Sequence, residues 1–315
     1  MAHVSTGNLP SPEAVQSWLD EAHARFSANR DGEVSRVYPA LERVHPDHFG
    51  IALAGTSGRV WTSGEADHAF TIMSVSKPFV FALVCERIGA DAVRDRVGVN
   101  STGLPFNSVE AVERSRDGRT NPMVNSGAIA TTSLAPDWDF IRDGLSRFAG
   151  HALGFDDEVY ASASATNSRN QAIARLLDLD RDPGEAVDLY TRQCSLRVSA
   201  RDLAVMGATL ADGGVNPITR ERVIDAEVCH YTLAVMLTAG LYEDSGSWLY
   251  DVGLPAKSGI GGGIVTISPG KGGMGTFAPR LDAAGNSVKG SLVARHLSQQ
   301  LGLDLLISSA FIPPG

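Results

Sequence analysis

The chain has 315 residues, with 27 Lys+Arg against 36 Asp+Glu and a formal net charge of −9. That balance excludes a phosphate-rich partner: neither a nucleic acid nor an anionic membrane surface is expected, because binding either one needs a surplus of positive charge. A hydrophobic content of 43% with 20% charged residues is ordinary for a globular protein, which argues against disorder and for a sizeable core.

In chain order, Met1 to Pro10 is polar and has no apolar stretch, so no signal peptide is expected. Residues 11–28 predict an amphipathic helix with Ser11 as N-cap, Pro12 in the first turn, and Ala14, Val15, Trp18, Leu19 and Ala22 on one side. Residues 49–63 predict a β-hairpin turning through Gly55-Thr56-Ser57-Gly58. Residues 74–88 predict a buried helix, and residues 122–212 are mostly helical, with candidates near 138–149, 167–178, 184–194 and 199–212. Asp212-Gly213-Gly214 reads as a helix C-cap and turn. From about residue 250 short apolar runs alternate with Gly and Pro, as in strands joined by tight turns. Strands at both ends and helices between them indicate an α/β (α+β) fold in which the termini complete one sheet. No strict βαβ alternation supports a Rossmann arrangement. The expected division is residues 1–65 with 220–315 as a sheet-containing part, and residues 66–219 as a mainly helical part.

No run of about 18 apolar residues is present, so no membrane span is expected. Cys85, Cys194 and Cys229 are widely spaced and form no CxxC, which fits reduced thiols and a cytoplasmic location; Cys85 and Cys194 are expected to pack as small core hydrophobes. No metal is expected at His45-Pro46-Asp47-His48, because Pro46 breaks a helical His pair and no third ligand is near. Gly270-Lys271-Gly272-Gly273 is not a phosphate loop: Gly272 stands where a Ser or Thr would meet Mg²⁺, and a turn between late strands is expected instead.

Two segments carry chemistry. In Ser74-Val75-Ser76-Lys77, the following Pro78 is tolerated only in the first turn of a helix, so Ser74 sits at or just before a helix N-terminus with Lys77 one turn on. A lysine whose pKa is depressed by burial can act as base for a serine hydroxyl, and the backbone N–H groups of a helix start can hold an oxyanion. In Lys257-Ser258-Gly259, followed by Ile260-Gly261-Gly262-Gly263, the small residues allow a close backbone or substrate approach. S-x-x-K on an early helix with K-[ST]-G on a late strand is the signature set of serine β-lactamases and penicillin-binding proteins.

Six ordered segments make the resemblance narrower: Ser74-Val75-Ser76-Lys77, Asn121-Pro122-Met123-Val124-Asn125-Ser126-Gly127-Ala128-Ile129, Ser168-Arg169-Asn170, Tyr190-Thr191-Arg192-Gln193-Cys194-Ser195, Leu210-Ala211-Asp212-Gly213-Gly214-Val215-Asn216-Pro217 and Gly253-Leu254-Pro255-Ala256-Lys257-Ser258-Gly259. From about Tyr38 to Leu301 the chain resembles the serine-dependent glutaminases. The resemblance implies a β-lactamase/transpeptidase-like fold, an antiparallel sheet flanked by helices plus a mainly helical subdomain. It also implies Ser74 as nucleophile, Lys77 as its activating partner, Tyr242 beside the nucleophile, and the Ile260 backbone at the oxyanion. Tyr38, Asn125, Asn170 and Tyr190 match substrate-binding positions. In Tyr160-Ala161-Ser162-Ala163 the family's glutamate, expected to face the substrate's α-ammonium, is replaced by Ala163. The expected substrate is L-glutamine, with no cofactor and a homodimeric or homotetrameric assembly. Two other readings fit parts of the chain: a β-lactamase or peptidase-like acyl transferase on the same fold, and a silent amino-acid-binding protein.

Overall fold

The structure, a computed structural model, describes residues 7–308; residues 1–6 of the polar N-terminal segment lie outside the described residues. Among the described residues eight strands occur: β1 (Gly50–Gly55), β2 (Val60–Gly64), β3 (Phe70–Thr71), β4 (Gly154–Phe155), β5 (Leu196–Val198), β6 (Ala256–Ser258), β7 (Gly263–Ser268) and β8 (Gly272–Phe277). They form a five-stranded antiparallel sheet in the order β2-β1-β8-β7-β6 and a three-stranded sheet in the order β3-β5-β4. Strands from both ends of the chain therefore do complete one sheet, with β1 pairing β8 from Gly50↔Phe277 to Gly55↔Gly272. The β1–β2 hairpin closes through Gly55 to Gly58, where Gly58 has a φ of 88°. Residues 269–271 form the turn between β7 and β8.

The central strands β1, β8 and β7 are buried on both faces, which is why they carry apolar and small residues with no regular alternation. Ile51, Leu53, Ile264 and Met274 pack under the helices Pro12–Phe26 and Val288–Gln300, against Leu19, Val293 and Leu297. Ala52, Ala54, Val265 and Ile267 point the other way, into the larger core with the helix Ala200–Ala211. That helix lies directly on β8, because β8 has glycine at its facing positions. A Cβ at Gly275 would stand 2.1 Å from the Ala200 carbonyl, and one at Gly273 would stand 2.3 Å from the Ala208 nitrogen. Gly275→Ala is therefore expected to lower stability by about 1–3 kcal/mol through overpacking. A drop in Tm with unchanged far-UV circular dichroism would record it, and an unchanged Tm would contradict it.

Several expected helices appear with their expected caps. Ser11 accepts from the Ala14 N–H at 3.3 Å to start Pro12–Phe26. Ser199 and Asp202 form a reciprocal capping box for Ala200–Ala211, which ends at Asp212 with Gly213 and Gly214 at φ of 61° and 87°. The helix expected over 167–178 is shorter, Ser168–Ala174: the Leu176 and Leu177 N–H groups donate to the Ile173 and Ala174 carbonyls, so the chain tightens into i→i+3 turns there. Among the described residues no helix is long and apolar enough to cross a membrane.

Candidate active site

Strand β3 pairs with β5, and the Ile72 N–H donates to the Leu196 carbonyl at 2.9 Å, which anchors the segment that follows. Met73–Val75 is a single 3₁₀ turn, and the α-helix proper is Ser76–Ile88. Ser74 thus stands in the tight turn before the helix, and Lys77 falls in the helix's first turn. Met73 has a φ of 48°, a left-handed conformation unfavourable for a side chain of its kind. It is held by the Ser76 hydroxyl, which donates to the Met73 carbonyl at 2.7 Å and accepts from Gln193 Nε2 at 3.2 Å. Strain concentrated next to a reactive group is a recurrent feature of functional sites.

Lys77 is 1% exposed. Its Nζ donates to the Met123 carbonyl at 3.1 Å and to Asn125 Oδ1 at 2.8 Å, and among the described residues it has no carboxylate partner. Burial lowers its pKa from 10.5 to about 7, against a smaller opposite influence from Cys194. A neutral amine has two N–H groups and one lone pair. Two carbonyl acceptors use both N–H groups and leave the lone pair for a proton. The Asn121 segment makes this arrangement. Asn121 Oδ1 accepts from the Met123 N–H at 3.0 Å, turning the chain so that the Met123 carbonyl meets Lys77. A Cβ on Gly127 would collide with the Asn121 carbonyl at 1.9 Å, so glycine is required there. Among the described residues Ser74 Oγ and Lys77 Nζ do not hydrogen-bond in this resting arrangement.

The Ser74 hydroxyl instead lies beside the Tyr242 phenol, which it lowers against the much larger upward push of burial. Tyr242 also sits in a left-handed conformation, φ 57°, and donates to the Ser258 carbonyl at 3.0 Å. Beneath it lies Lys257, fully buried, with Nζ 4.1 Å from the centre of the Tyr242 ring and bonded to the carbonyls of Gly240 and Ser258. Burial, and then the charge of Lys77, keep Lys257 well below the usual lysine value. The glycines after Lys257-Ser258 bring this strand end onto the turn that holds Ser74. A Cβ at Gly259 would meet Val75 Cγ2 at 3.0 Å and the Ile72 carbonyl at 3.1 Å. Ile260 thereby reaches the same cavity as Ser74. The backbone N–H groups of Ser74 and Ile260 donate to no protein acceptor among the described residues.

The cavity has a volume of about 110 Å³ and is lined by Ser74, Tyr38, Asn125, Asn170, Tyr190 and Ile260 among others. A directed chain of amides forms its floor. Asn167 Nδ2 donates to Thr191 Oγ1 at 2.6 Å, Asn170 Nδ2 to Asn167 Oδ1 at 3.0 Å, and Asn125 Nδ2 to Asn170 Oδ1 at 2.9 Å. Asn125 Oδ1 then accepts from Lys77 and, at 3.1 Å, from the Tyr190 hydroxyl. Burial above all keeps Tyr190 a neutral phenol, its pKa pushed well above the ordinary value. Arg169 Nε donates to the Asn107 carbonyl at 2.8 Å at the rim. Cys194, expected in the core, also forms part of the cavity wall; burial pushes its thiol up to about 11, so it is not a ready nucleophile.

Of the residues singled out from sequence, Tyr242 touches Ser74, Lys77 lies under the amide chain, and Ala163 is buried in the helix Asp157–Ala165, one turn before the lining residues Thr166 and Asn167. Asn167, the Met123 carbonyl and the packing role of Lys257 were not singled out. For Lys257 the Lys-Ser-Gly motif was the available signal. For Asn167 the nearness of Asn170 was the only one.

The Glutaminase family profile matches residues 32–306. Glutaminase 2 of Yersinia pestis is 65% identical over 319 residues, covering 98% of this chain and 94% of the relative. The glutaminase of Colwellia psychrerythraea is 44% identical, over 93% of this chain and 97% of the relative. Among solved structures, the probable glutaminase ybaS superposes with a TM-score of 0.92 at 41% identity, over 95% of this chain and all of that one. Mglu in its L-glutamate binding form superposes with a TM-score of 0.88 at 38% identity, over 96% of this chain and 69% of that one. The antiparallel sheet with its flanking helices is thus the β-lactamase-like fold of these enzymes, and the chain belongs to the glutaminase family of hydrolases.

Proposed function

We propose that the chain hydrolyses L-glutamine to glutamate and ammonia through a glutamyl ester on Ser74. Lys77, whose pKa burial lowers to about 7, accepts the Ser74 proton in its neutral form, with the Tyr242 phenol as a relay. Ser74 Oγ bonds to the side-chain carbonyl carbon, and the N–H groups of Ser74 and Ile260 hold the resulting oxyanion. The C–N bond breaks, and the proton on Lys77 passes to the leaving ammonia. Water then cleaves the ester by the same groups in reverse. Asn125, Asn170, Tyr190 and Tyr38 orient the amino-acid end. The observation that carries this reading is Lys77: it is buried, has no carboxylate partner among the described residues, and donates to two carbonyl oxygens. The related Mglu has a structure in its L-glutamate binding form, and glutamate is the product this reaction would give.

An ammonia-release assay with glutamine and asparagine, alongside a chromogenic β-lactam, tests the assignment. Release from glutamine with an intact β-lactam is expected. Cleavage of the β-lactam alone would favour the acyl-transferase reading.

Ala163 adds a second expectation. A desolvated ammonium without a charged partner lacks a hydrogen bond worth about 1.5–3 kcal/mol, or about 10- to 150-fold in binding. Ala163→Glu is therefore expected to lower KM for glutamine by a factor in that range, with a smaller change in kcat. Unchanged KM and kcat would show that this position does not face the α-ammonium.

A further inference from the structure

We propose that the cavity serves ω-carboxamides of five-carbon dicarboxylic acids whose α-position carries no charge, and that it takes them at least as well as zwitterionic glutamine. The inference rests on the acyl-enzyme reading above and specifies its substrate class. The wall of the cavity holds amides, hydroxyls and apolar groups, and among the described residues no Asp or Glu lines it. Its one described lining residue with a fixed charge is Arg169, whose terminal nitrogens donate to no acceptor among the described residues while Nε is held by the Asn107 carbonyl. Behind that wall Lys77, bonded to the lining residue Asn125, is again a cation when protonated. An α-carboxylate entering this cavity meets a guanidinium. An α-ammonium beside it meets none of the opposite charge and loses its water.

The amide chain does not repair this. Asn125 Oδ1 already accepts from two donors, while Asn167 Oδ1 and Asn170 Oδ1 accept one each, so these amides offer an ammonium at most a neutral oxygen's lone pair and no countercharge. A neutral α-substituent removes the unpaired charge and leaves the reacting end unchanged. The chemistry is the same: Ser74 Oγ bonds to the carboxamide carbon, ammonia leaves, and water releases the dicarboxylate.

The test compares kcat/KM for glutaramate, which is glutamine without its α-amine, with that for glutamine, using the full chain. A glutaramate-to-glutamine ratio of about one or above is expected. A ratio clearly below one overturns the proposal but leaves the glutaminase reading standing. Ammonia release from neither substrate overturns both. A variant makes the charge argument independent of substrate shape. Thr166 lines the cavity from an exposed position, so Thr166→Glu places a carboxylate at the mouth without disturbing the core. It is expected to shift the ratio toward glutamine by several-fold, on the order expected for one charge-assisted contact. A ratio unmoved by Thr166→Glu, in a variant of unchanged Tm, contradicts the charge argument.

Discussion

Ser74→Ala is expected to reduce ammonia release from glutamine by on the order of 10³-fold or more, since loss of a nucleophile removes the whole covalent pathway. The folded state should survive. Ser74 donates no bond that the turn requires: the turn is held by the Ser76 hydroxyl on the Met73 carbonyl and by the Ile72 N–H on Leu196. No second nucleophile replaces it. Cys194 shares the cavity, but its thiol is pushed up to about 11, leaving a negligible thiolate fraction near neutral pH. Steady-state assays with a matched thermal melt decide the point. Retained activity in the variant would move the nucleophile elsewhere.

Lys77→Arg is expected to be nearly as severe, because a guanidinium does not give up its proton and cannot serve as base. In the parent enzyme the rate should rise with pH through about 7, as Lys77 loses its proton, and then level off. The same group has a definite sign in stability. Its folded pKa lies below the unfolded lysine value, so the folded state binds fewer protons between about 7 and 10.5. Burial of the charged lysine opposes folding fully below about 7, and that opposition fades as pH rises toward the unfolded value. Lys77→Met should therefore flatten the stability rise over that window while abolishing the reaction. A pH–rate profile without the rise near 7, or an active Lys77→Arg protein, would show that another group takes the Ser74 proton.

The sheet's ends were legible because its strands are buried on both faces. Ile51 to Ala54 is apolar without a gap, Ile264 to Ile267 is broken only by the buried Thr266, and the glycines around them punctuate the turns. The amphipathic helix at Pro12–Phe26 and the capped helix at Ala200–Ala211 carried both period and caps. The helix Ala226–Ala239 was harder to read, with a diffuse apolar pattern and no side-chain cap. The three-stranded sheet was not legible at all: β3, β4 and β5 are two or three residues each, too short for any period, and they pair across distant parts of the chain.

The site divides in the same way. Ser74 and Lys77 were visible because Pro78 places a helix start beside them. The reason for the Tyr190 segment appears only in three dimensions. Tyr190 meets Asn125, Thr191 meets Asn167, Arg192 meets Asp188, and Gln193 joins Ser76 to Thr132. Each contact spans helical elements whose relation no local pattern encodes, apart from the i,i+4 pair of Arg192 and Asp188. Asn167 was missed for that reason: its partners are Asn170 nearby and Thr191 on another helix.

The most direct measurement is covalent capture of the nucleophile. The enzyme would be treated with a glutamine analogue carrying a diazoketone in place of the side-chain amide, digested, and mapped by mass spectrometry. One adduct per chain on the peptide containing Ser74, lost in Ser74→Ala and suppressed by glutamine, is the result this mechanism predicts. An adduct on Cys194, or hydrolysis of glutamine with no adduct on Ser74, would contradict it.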